Sequence, residues 1–523
     1  MTRTATLVLH NARVITMDRR QPRAQAVAVQ GERILAVGSD AEVLGQAGSS
    51  HAEVIDCRGQ ALLPGFIDAH CHVLAYAASL LSLDCSPDAV SSIVDMQAAL
   101  RRQAEVTPAG RWIRAVGYSE ADLAEGRHPT RWDLDLAAPD HPVRLIHRSG
   151  HACVLNSLAL RLCGIGMESE EPPGGYMERD HASGEPSGLL LEMDDLVDRA
   201  VPPLSWEELV EGVRLASQRF LAAGVTSIVD ASHTNGPPEW ELLRRLRQEG
   251  HLLPRLTAMV GFEHREAAAR WRENEGGDGA LVLGAAKIII KELGEEIYPE
   301  EDALAEMVFQ AHGQGWQVAI HAVEERAVAA AAGALSRALA QLPRQDHRHR
   351  IEHCGVCPPP LVERIATAGL MVVTQPSFLY YNGDRYLREV PPQRQRYLYP
   401  LRSLLRAGIP LAAGSDCPVV GPEVVAGLYG AVARRSKGGQ VIGGEESISI
   451  EDALGLYTMG AAYAGFAEGE RGSIARAKLA DLVVLSGDPT TCPPGELPTL
   501  RPRMTIVGGQ VAWRADEWGS IRG

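Results

Sequence analysis

The feature that most constrains the fold is a series of short apolar segments that alternate with helical patterns. Most segments are largely apolar, which is typical of strands buried on both faces of a parallel sheet. The first helical pattern spans residues 206–223 and directly precedes the series. Seven strands are predicted in this region, at residues 224–230, 256–260, 285–290, 317–321, 350–353, 370–375 and 410–416.

An eighth strand is predicted in the apolar stretch at residues 62–73, which contains His70-Cys71-His72 near its end. A parallel series of eight strands with intervening helices closes into a barrel. Residues at about 75–205 do not alternate strands and helices regularly. We therefore expect them to form a subdomain inserted after the first barrel strand.

Both ends of the chain carry short strand patterns separated by polar turn residues. The N-terminal patterns lie within residues 5–60, and the C-terminal patterns lie at 480–485 and 503–513. Because chain termini often lie close together, these patterns predict one discontinuous β domain. Its expected extent is 1–62 plus 468–523, around an α/β barrel at 63–467.

The composition limits the partners that this chain can have. The 523 residues are 45% hydrophobic and 22% charged, close to globular norms. A formal net charge of −15 argues against a nucleic-acid partner, which needs a surplus of Lys and Arg.

Nine scattered cysteines favour reduced thiols and a cytoplasmic location. No signal peptide or long apolar run is expected, so the predicted partner is a small-molecule substrate and not a membrane. A homodimer is one option for the oligomeric state.

Side chains with nitrogen or carboxylate donors recur at or near the predicted strand ends. In the first strand His70 and His72 point to one side, since strand side chains alternate with period two. The full set comprises His70, His72, Lys287, His321, His353 and Asp416. A single histidine at a strand end is usually structural. Donors from five strands that meet where barrel active sites lie predict a metal site instead. Lys287 lies near the start of its predicted strand, so that boundary is loose.

These residues lie in motifs that resemble the amidohydrolase superfamily, and within it the YtcJ-like, amidohydrolase-3 group. The resemblance covers nearly the whole chain. The motifs that carry it are LPGFIDAHCH (63–72), GHA (150–152) with Asn156, GVTSIVD (224–230), Lys287, IHA (320–322), IEHC (351–354), GSDCP (414–418), GSI (472–474) and KLADLVVL (478–485).

The resemblance implies a distorted TIM-like (β/α)8 barrel with a small β-sandwich domain formed by both termini. It also implies one or two divalent metal ions, with zinc as the first expectation. In such enzymes the His-x-His pair, here His70 and His72, and the final Asp416 bind the more buried ion. Two later histidines, here His321 and His353, bind the second ion. A carboxylated lysine, here Lys287, bridges the two.

Lys287 requires a neutral or carboxylated side chain to act as a ligand. A free lysine has a pKa of about 10.4, and burial lowers that value and makes a neutral amine available to combine with carbon dioxide. An ordinary ion pair with Glu292 is one alternative. Lys291 is another candidate, since it has the same strand parity as Lys287 and only the family motif separates them.

Asp416 is the expected general base as well as a ligand, because a carboxylate beside an activated water can pass its proton to a leaving group. The alternative is a helix N-cap, since Ser415-Asp416-Cys417-Pro418 also resembles a strand-to-helix turn. Glu352 precedes His353 and is therefore expected on the opposite face of its strand, in a structural ion pair.

Three further residues are candidates for the substrate pocket. The resemblance places His151 near the pocket, with a catalytic or substrate-binding role, and the alternative is a structural histidine. Gln375 and Tyr118 are candidate substrate contacts, for which ordinary packing is the favoured alternative.

Together the residues and the resemblance predict a metal-dependent hydrolase that cleaves a C–N bond of an amide-like small molecule with metal-activated water. An aminohydrolase (deaminase) is the first alternative, and an esterase or lactonase would use the same residues. A non-catalytic scaffold is the least favoured alternative, because every expected ligand position is filled.

Overall fold

The computed structural model describes residues 5–47, 52–274, 281–294 and 296–516. The chain divides into two compact units. The first comprises Met1–His72, Ala216–Ile290 and Glu301–Gly523, and the second comprises Val73–Leu215 and Lys291–Glu300.

An eight-stranded parallel barrel forms the centre of the first unit, which confirms the predicted fold class. In chain order its strands are Phe66–Cys71, Val225–Asp230, Arg255–Gly261, Leu281–Ile289, Val318–Ala322, Arg350–His353, Met371–Thr374 and Leu411–Ala413. They are numbered one to eight below. The fourth strand begins before the predicted residue 285, so Lys287 lies near its carboxyl end.

The first and eighth barrel strands meet just beyond their regular hydrogen-bonding ladders. The backbone N–H of Asp416 donates to the carbonyl of His70 at 2.7 Å, and the N–H of His72 donates to the carbonyl of Cys417 at 2.9 Å. These bonds nearly close the barrel at the carboxyl ends of its strands, where the predicted ligands lie.

Helices of the first unit separate most of the barrel strands, as the alternation of apolar segments and helical patterns predicts. Glu325–Gln341 shows why, because its small side chains Ala327, Ala331, Ala334 and Ala338 recur at helical spacing and are buried. The other helices in this unit are Asp40–Ala47, Pro237–Gln248, Arg265–Asn274, Glu301–Gly313, Pro359–Thr367, Pro376–Glu389, Pro392–Gln395, Leu401–Arg406, Val424–Ala433, Ile450–Leu456 and Met459–Ala464. Trp206–Ala222 precedes the second barrel strand.

Two further sheets of the first unit contain both terminal segments. One has the strand order Arg33–Gly38, Ala26–Gln30, Leu7–His10 and Glu53–Asp56. The other has the order Gln510–Arg514, Pro502–Val507, Leu482–Leu485, Ala61–Pro64, Arg13–Ile15 and Arg23–Ala24. An apolar cluster that includes Leu9, Val29, Leu62, Val484 and Ile506 draws on strands of both sheets. The N- and C-terminal segments therefore share one hydrophobic core.

The second unit is built on a six-stranded mixed sheet. Its order is Tyr176–Arg179, Pro186–Leu191, Ala152–Leu155, Val143–His147, Ile113–Tyr118 and Leu83–Asp84. Its helices are Val73–Ser79, Ile93–Val106, Arg131–Asp135, Ser157–Leu162 and Asp194–Asp198, and the strands Lys291–Leu293 and Glu296–Tyr298 pair with each other. Among the described residues, no helix combines the length and apolar character needed to cross a membrane.

Candidate metal centre

The centre of the site is a group of three side chains from the first and eighth strands. Nε2 of His72 lies 3.1 Å from Oδ1 of Asp416, and Nε2 of His70 lies 3.4 Å from the same oxygen. One donor atom from each of the three residues lies within 4.8 Å of the other two. The predicted strand parity of the two histidines thus brings both imidazoles to one carboxylate.

A glycine allows the eighth strand to approach the first this closely. A Cβ at Gly414 would lie 2.5 Å from the backbone nitrogen of His70, so a larger residue would force the strands apart. Asp416 follows with a left-handed φ of 60°, which is uncommon for a residue other than glycine and stores strain. Asp68 supports this turn, because its carboxylate accepts hydrogen bonds from the Ser415 hydroxyl at 2.6 Å and backbone N–H at 2.9 Å.

Asp416 does not cap a helix in this structure. The next described helix begins at Val424, and the Asp416 carboxylate faces His70 and His72 instead. Burial would raise the pKa of Asp416, but the adjacent His70 and His72 side chains lower that pKa well below its usual range. The side chain is therefore a carboxylate at neutral pH.

The fourth, fifth and sixth strands contribute Lys287, His321 and His353, of which Lys287 and His353 are buried and His321 is half-buried. The rings of His321 and His353 have centroids 4.5 Å apart, and the His353 ring lies 4.8 Å from that of His70. The Nδ1 of His353 lies 2.8 Å from Oε1 of Gln375, and burial lowers the pKa of His353 to about 3. Burial also lowers the pKa of Lys287 to about 8.

The structure separates the two lysines that strand parity leaves equivalent. Lys287 is buried in the barrel, and its Nζ has no hydrogen-bond partner among the described residues. Lys291 belongs to the second unit, is partly exposed and donates to the carbonyl of Glu192 at 3.0 Å. Lys287 is therefore the lysine that shares the barrel with the predicted ligands.

The expected orientation of Glu352 away from the site is wrong. Its carboxylate forms an ion pair with Arg350, as expected, but it also accepts a hydrogen bond from Nδ1 of His70. His353 has a left-handed φ of 70°, which breaks the alternation of side chains at this strand end. Sequence reasoning missed the contact between Glu352 and His70 because no motif specifies how side chains of the sixth and first strands meet.

The structure also places residues that sequence reasoning did not associate with the ligands. The Ser232 hydroxyl lies 3.0 Å from Nδ1 of His72. Gln375, predicted to contact substrate, has its amide oxygen directed at His353. Both partners follow barrel strands, which is the general signal that could have identified them.

The remaining predicted pocket residues lie in the second unit. Nδ1 of His151 lies 2.7 Å from a carboxylate oxygen of Glu192, and the His151 side chain is 43% exposed. Tyr118 is buried in the core of that unit, with its hydroxyl 2.9 Å from Nδ1 of His128. The substrate-contact roles of His151 and Tyr118 stay predictions.

The donor set fits a divalent ion on the chemistry of its atoms. Nε2 of His70, Nε2 of His353 and Nζ of Lys287 are buried without hydrogen-bond partners among the described residues. Buried polar atoms are normally paired, and imidazole nitrogen with carboxylate oxygen is a donor combination that suits zinc.

Comparison with known proteins identifies the family of this chain. The sequence matches the model of the amidohydrolase family (Amidohydro_3) over residues 53–512. It is 32% identical to the N-substituted formamide deformylase of Arthrobacter pascens, over 97% of this chain and 98% of that protein. YtcJ of Bacillus subtilis (strain 168) is 29% identical, over 97% and 99% of the two chains.

The fold also resembles that of a solved structure, an uncharacterized metal-dependent hydrolase from Pyrococcus horikoshii OT3. The TM-score is 0.75 at 22% identity, and the match covers 94% of this chain and 99% of that one. The family match and the motifs around the barrel lead to one conclusion: the chain belongs to the amidohydrolase family, in its YtcJ-like group, and is a hydrolase.

Proposed function

We propose that this protein is a metal-dependent hydrolase that cleaves the C–N bond of a small amide. The observation that carries the proposal is the convergence of His70, His72 and Asp416 on one point at the carboxyl ends of the first and eighth strands. Active sites of barrel enzymes lie at this end.

In the proposed site, His70, His72 and Asp416 hold one ion, zinc being the first candidate. His321, His353 and Lys287 hold a second. When bound, a divalent ion supplies Lewis-acid polarisation of a carbonyl and makes water acidic enough to ionise near neutral pH. The neutral histidines required for this role are consistent with the low pKa of His353.

Asp416 is the proposed general base. Its lowered pKa keeps it ionised at neutral pH, so it can accept a proton from the attacking water. Protonated Asp416 then returns that proton to the departing amine nitrogen, which would otherwise leave as an unstable anion. His70 and His72 hold the carboxylate in place for both transfers.

Lys287 is the proposed bridging residue, as a carbamate. A pKa of about 8 means that about a tenth of its Nζ is neutral at pH 7. That nitrogen can attack the carbon of carbon dioxide, form an N–C bond and lose a proton. The product is a carboxylate at the end of a long side chain, suited to two cations.

The relative from Arthrobacter pascens supplies the first substrate class to test. Its name states that it deformylates N-substituted formamides, and it matches this chain over nearly its full length. We therefore propose N-substituted formamides and related small secondary amides as substrates. His151, Gln375 and Tyr118 are the proposed substrate contacts.

The test is hydrolysis of a panel of N-substituted formamides, with formate and amine measured separately from ammonia. Chelation should abolish activity, and zinc or manganese should restore it. Asp416→Asn should lower kcat by about 10²-fold or more, the usual contribution of a general base. Full activity in a verified metal-free sample would refute metal dependence. Ammonia release without amide cleavage would favour a deaminase, and turnover of esters alone would favour an esterase.

A further inference from the structure

A buried ion pair within the sixth strand contacts the first strand. Both Arg350 and Glu352 are almost completely inaccessible to solvent. Nη2 of Arg350 donates to Oε2 of Glu352 at 2.9 Å and to the carbonyl of Ala69 at 2.7 Å. The guanidinium thus ties the sixth strand to the residue that directly precedes His70.

The second function of this pair is to orient an imidazole. Glu352 accepts a hydrogen bond from Nδ1 of His70 with the same oxygen that faces Nη2 of Arg350. Both oxygens of Glu352 accept hydrogen bonds from Arg350, Oε1 from Nε and Oε2 from Nη2, so the side chain is a carboxylate paired with a guanidinium. An ionised carboxylate only accepts hydrogen bonds. The proton of a neutral His70 must therefore lie on Nδ1, which leaves the lone pair on Nε2, the nitrogen closer to Asp416.

Two other proposed ligand histidines have described Nδ1 partners, and both of those partners are neutral. His72 faces the hydroxyl of Ser232, and His353 faces the amide oxygen of Gln375. A hydrogen bond to a charged group is roughly twice as strong as one between neutral groups. An anionic partner also raises the basicity of an imidazole ligand. His70 is therefore set apart from His72 and His353 by the charge on its partner.

A structural role alone does not account for this arrangement. A buried ion pair adds little net stability compared with apolar residues of similar volume. Arg350 would satisfy Glu352 without any contact to His70, and His70 could accept a neutral partner as His72 does.

We propose that Glu352 is a positioning residue that makes His70 a stronger metal donor than His72 and His353, and that Arg350 keeps Glu352 directed at His70. The inference rests on the proposed metal site. It predicts that zinc affinity depends on the charge of a residue that is not itself a ligand.

The experiment measures zinc affinity by competition with a chromophoric chelator in wild type and three variants. Glu352→Gln keeps the size and an acceptor oxygen but removes the charge, and should weaken zinc binding by about 10-fold. Glu352→Ala should weaken zinc binding by up to about 100-fold, the upper end of the range seen when a hydrogen-bond partner of a metal ligand is removed. Glu446→Gln is the matched control, because Glu446 is also buried but accepts hydrogen bonds from Ser403, and should retain wild-type affinity.

The visible absorption of the cobalt-substituted protein gives a second readout, since it reports donor strength and geometry and not fold stability. It should change in Glu352→Gln and stay unchanged in Glu446→Gln. Wild-type zinc affinity and an unchanged cobalt spectrum in Glu352→Gln would overturn the proposal. Loss of folding in that variant would also overturn it, in favour of a structural role. A wild-type protein that binds no zinc would instead overturn the proposed function itself.

Discussion

Replacing Lys287 by methionine should stabilise the metal-free, uncarboxylated protein at neutral pH. Burial lowers the pKa of this lysine from 10.5 to about 8. Below pH 8 both the folded and the unfolded chains carry the proton, so folding must bury an ammonium group without a hydrogen-bond partner among the described residues. At 1.36 kcal/mol per pKa unit, the shift corresponds to about 3 kcal/mol. Methionine has a similar length and no charge to bury.

The sign of the pH dependence follows from proton binding. Between pH 8 and 10.5 the unfolded chain binds a proton at Lys287 that the folded chain does not bind. Wild-type stability from this residue therefore rises with pH through that window. The advantage of Lys287→Met should be about 3 kcal/mol at pH 7 and should disappear above the ordinary lysine pKa.

The assay is urea unfolding followed by tryptophan fluorescence, in buffer free of carbon dioxide and containing a chelator. Taking the difference between variant and wild type removes the contribution of groups that titrate in both proteins. Lys291→Met is the control, because Lys291 is partly exposed and its ammonium group remains hydrated. The reasoning would be refuted if Lys287→Met raised the free energy of unfolding equally at pH 7 and above pH 10.5. It would also be refuted if the variant were less stable than wild type at pH 7.

Two further substitutions test how the first unit holds the site. Gly414→Ala should destabilise the protein by about 3 kcal/mol in urea unfolding, because its Cβ would overlap the His70 backbone and overpacking typically costs about 1–3 kcal/mol before hydrogen bonds are lost. Gly333→Ala, in an open helical position, is the control and should be neutral or stabilising. Equal changes in the free energy of unfolding for the two variants would contradict the close approach of Gly414 to His70. Arg255→Met should lower the free energy of unfolding by about 3–5 kcal/mol in the same assay, because it leaves the carboxylate of Asp481 buried without the guanidinium that now lies 2.8 Å away. A decrease below about 1 kcal/mol would show that water replaces the arginine.

The barrel could be predicted from sequence because its signals are local. Continuous apolar segments and helical patterns mark strands and helices one at a time, and parallel strands place their carboxyl ends together. The side-chain alternation of a regular strand also predicted that His70 and His72 share a face. These rules need no knowledge of the surrounding structure.

The supporting contacts could not be predicted, because they depend on backbone exceptions and on long-range pairing. Arg350 and Glu352 share a strand face and both contact the first strand, a pairing of distant segments that no local pattern signals. The left-handed φ of His353 is likewise not marked by the sequence. Lys291 and Lys287 have equal strand parity, yet the chain leaves the barrel between them at the end of Ile290. The tertiary structure places the two lysines in different units, a difference that strand parity cannot show.

The connection order of the barrel has a consequence for how the site matures during synthesis. The first strand ends at Cys71, but its neighbours are Val225–Asp230 and the residues around Asp416. At about 5–20 residues per second, Asp416 leaves the ribosome roughly 17–70 seconds after the first strand does. Residues 73–215 have time to fold as a unit while that strand is still unpaired.

Metal loading should therefore follow barrel closure and not guide it, because two histidines alone are an incomplete ligand set until Asp416 arrives. A ribosome-stalled chain that ends before residue 411 should retain no zinc after gel filtration, whereas the released full-length chain should retain it. Zinc bound with equal affinity to both chains would show that the His-x-His pair captures metal early, and that the ion is present while the last strand folds.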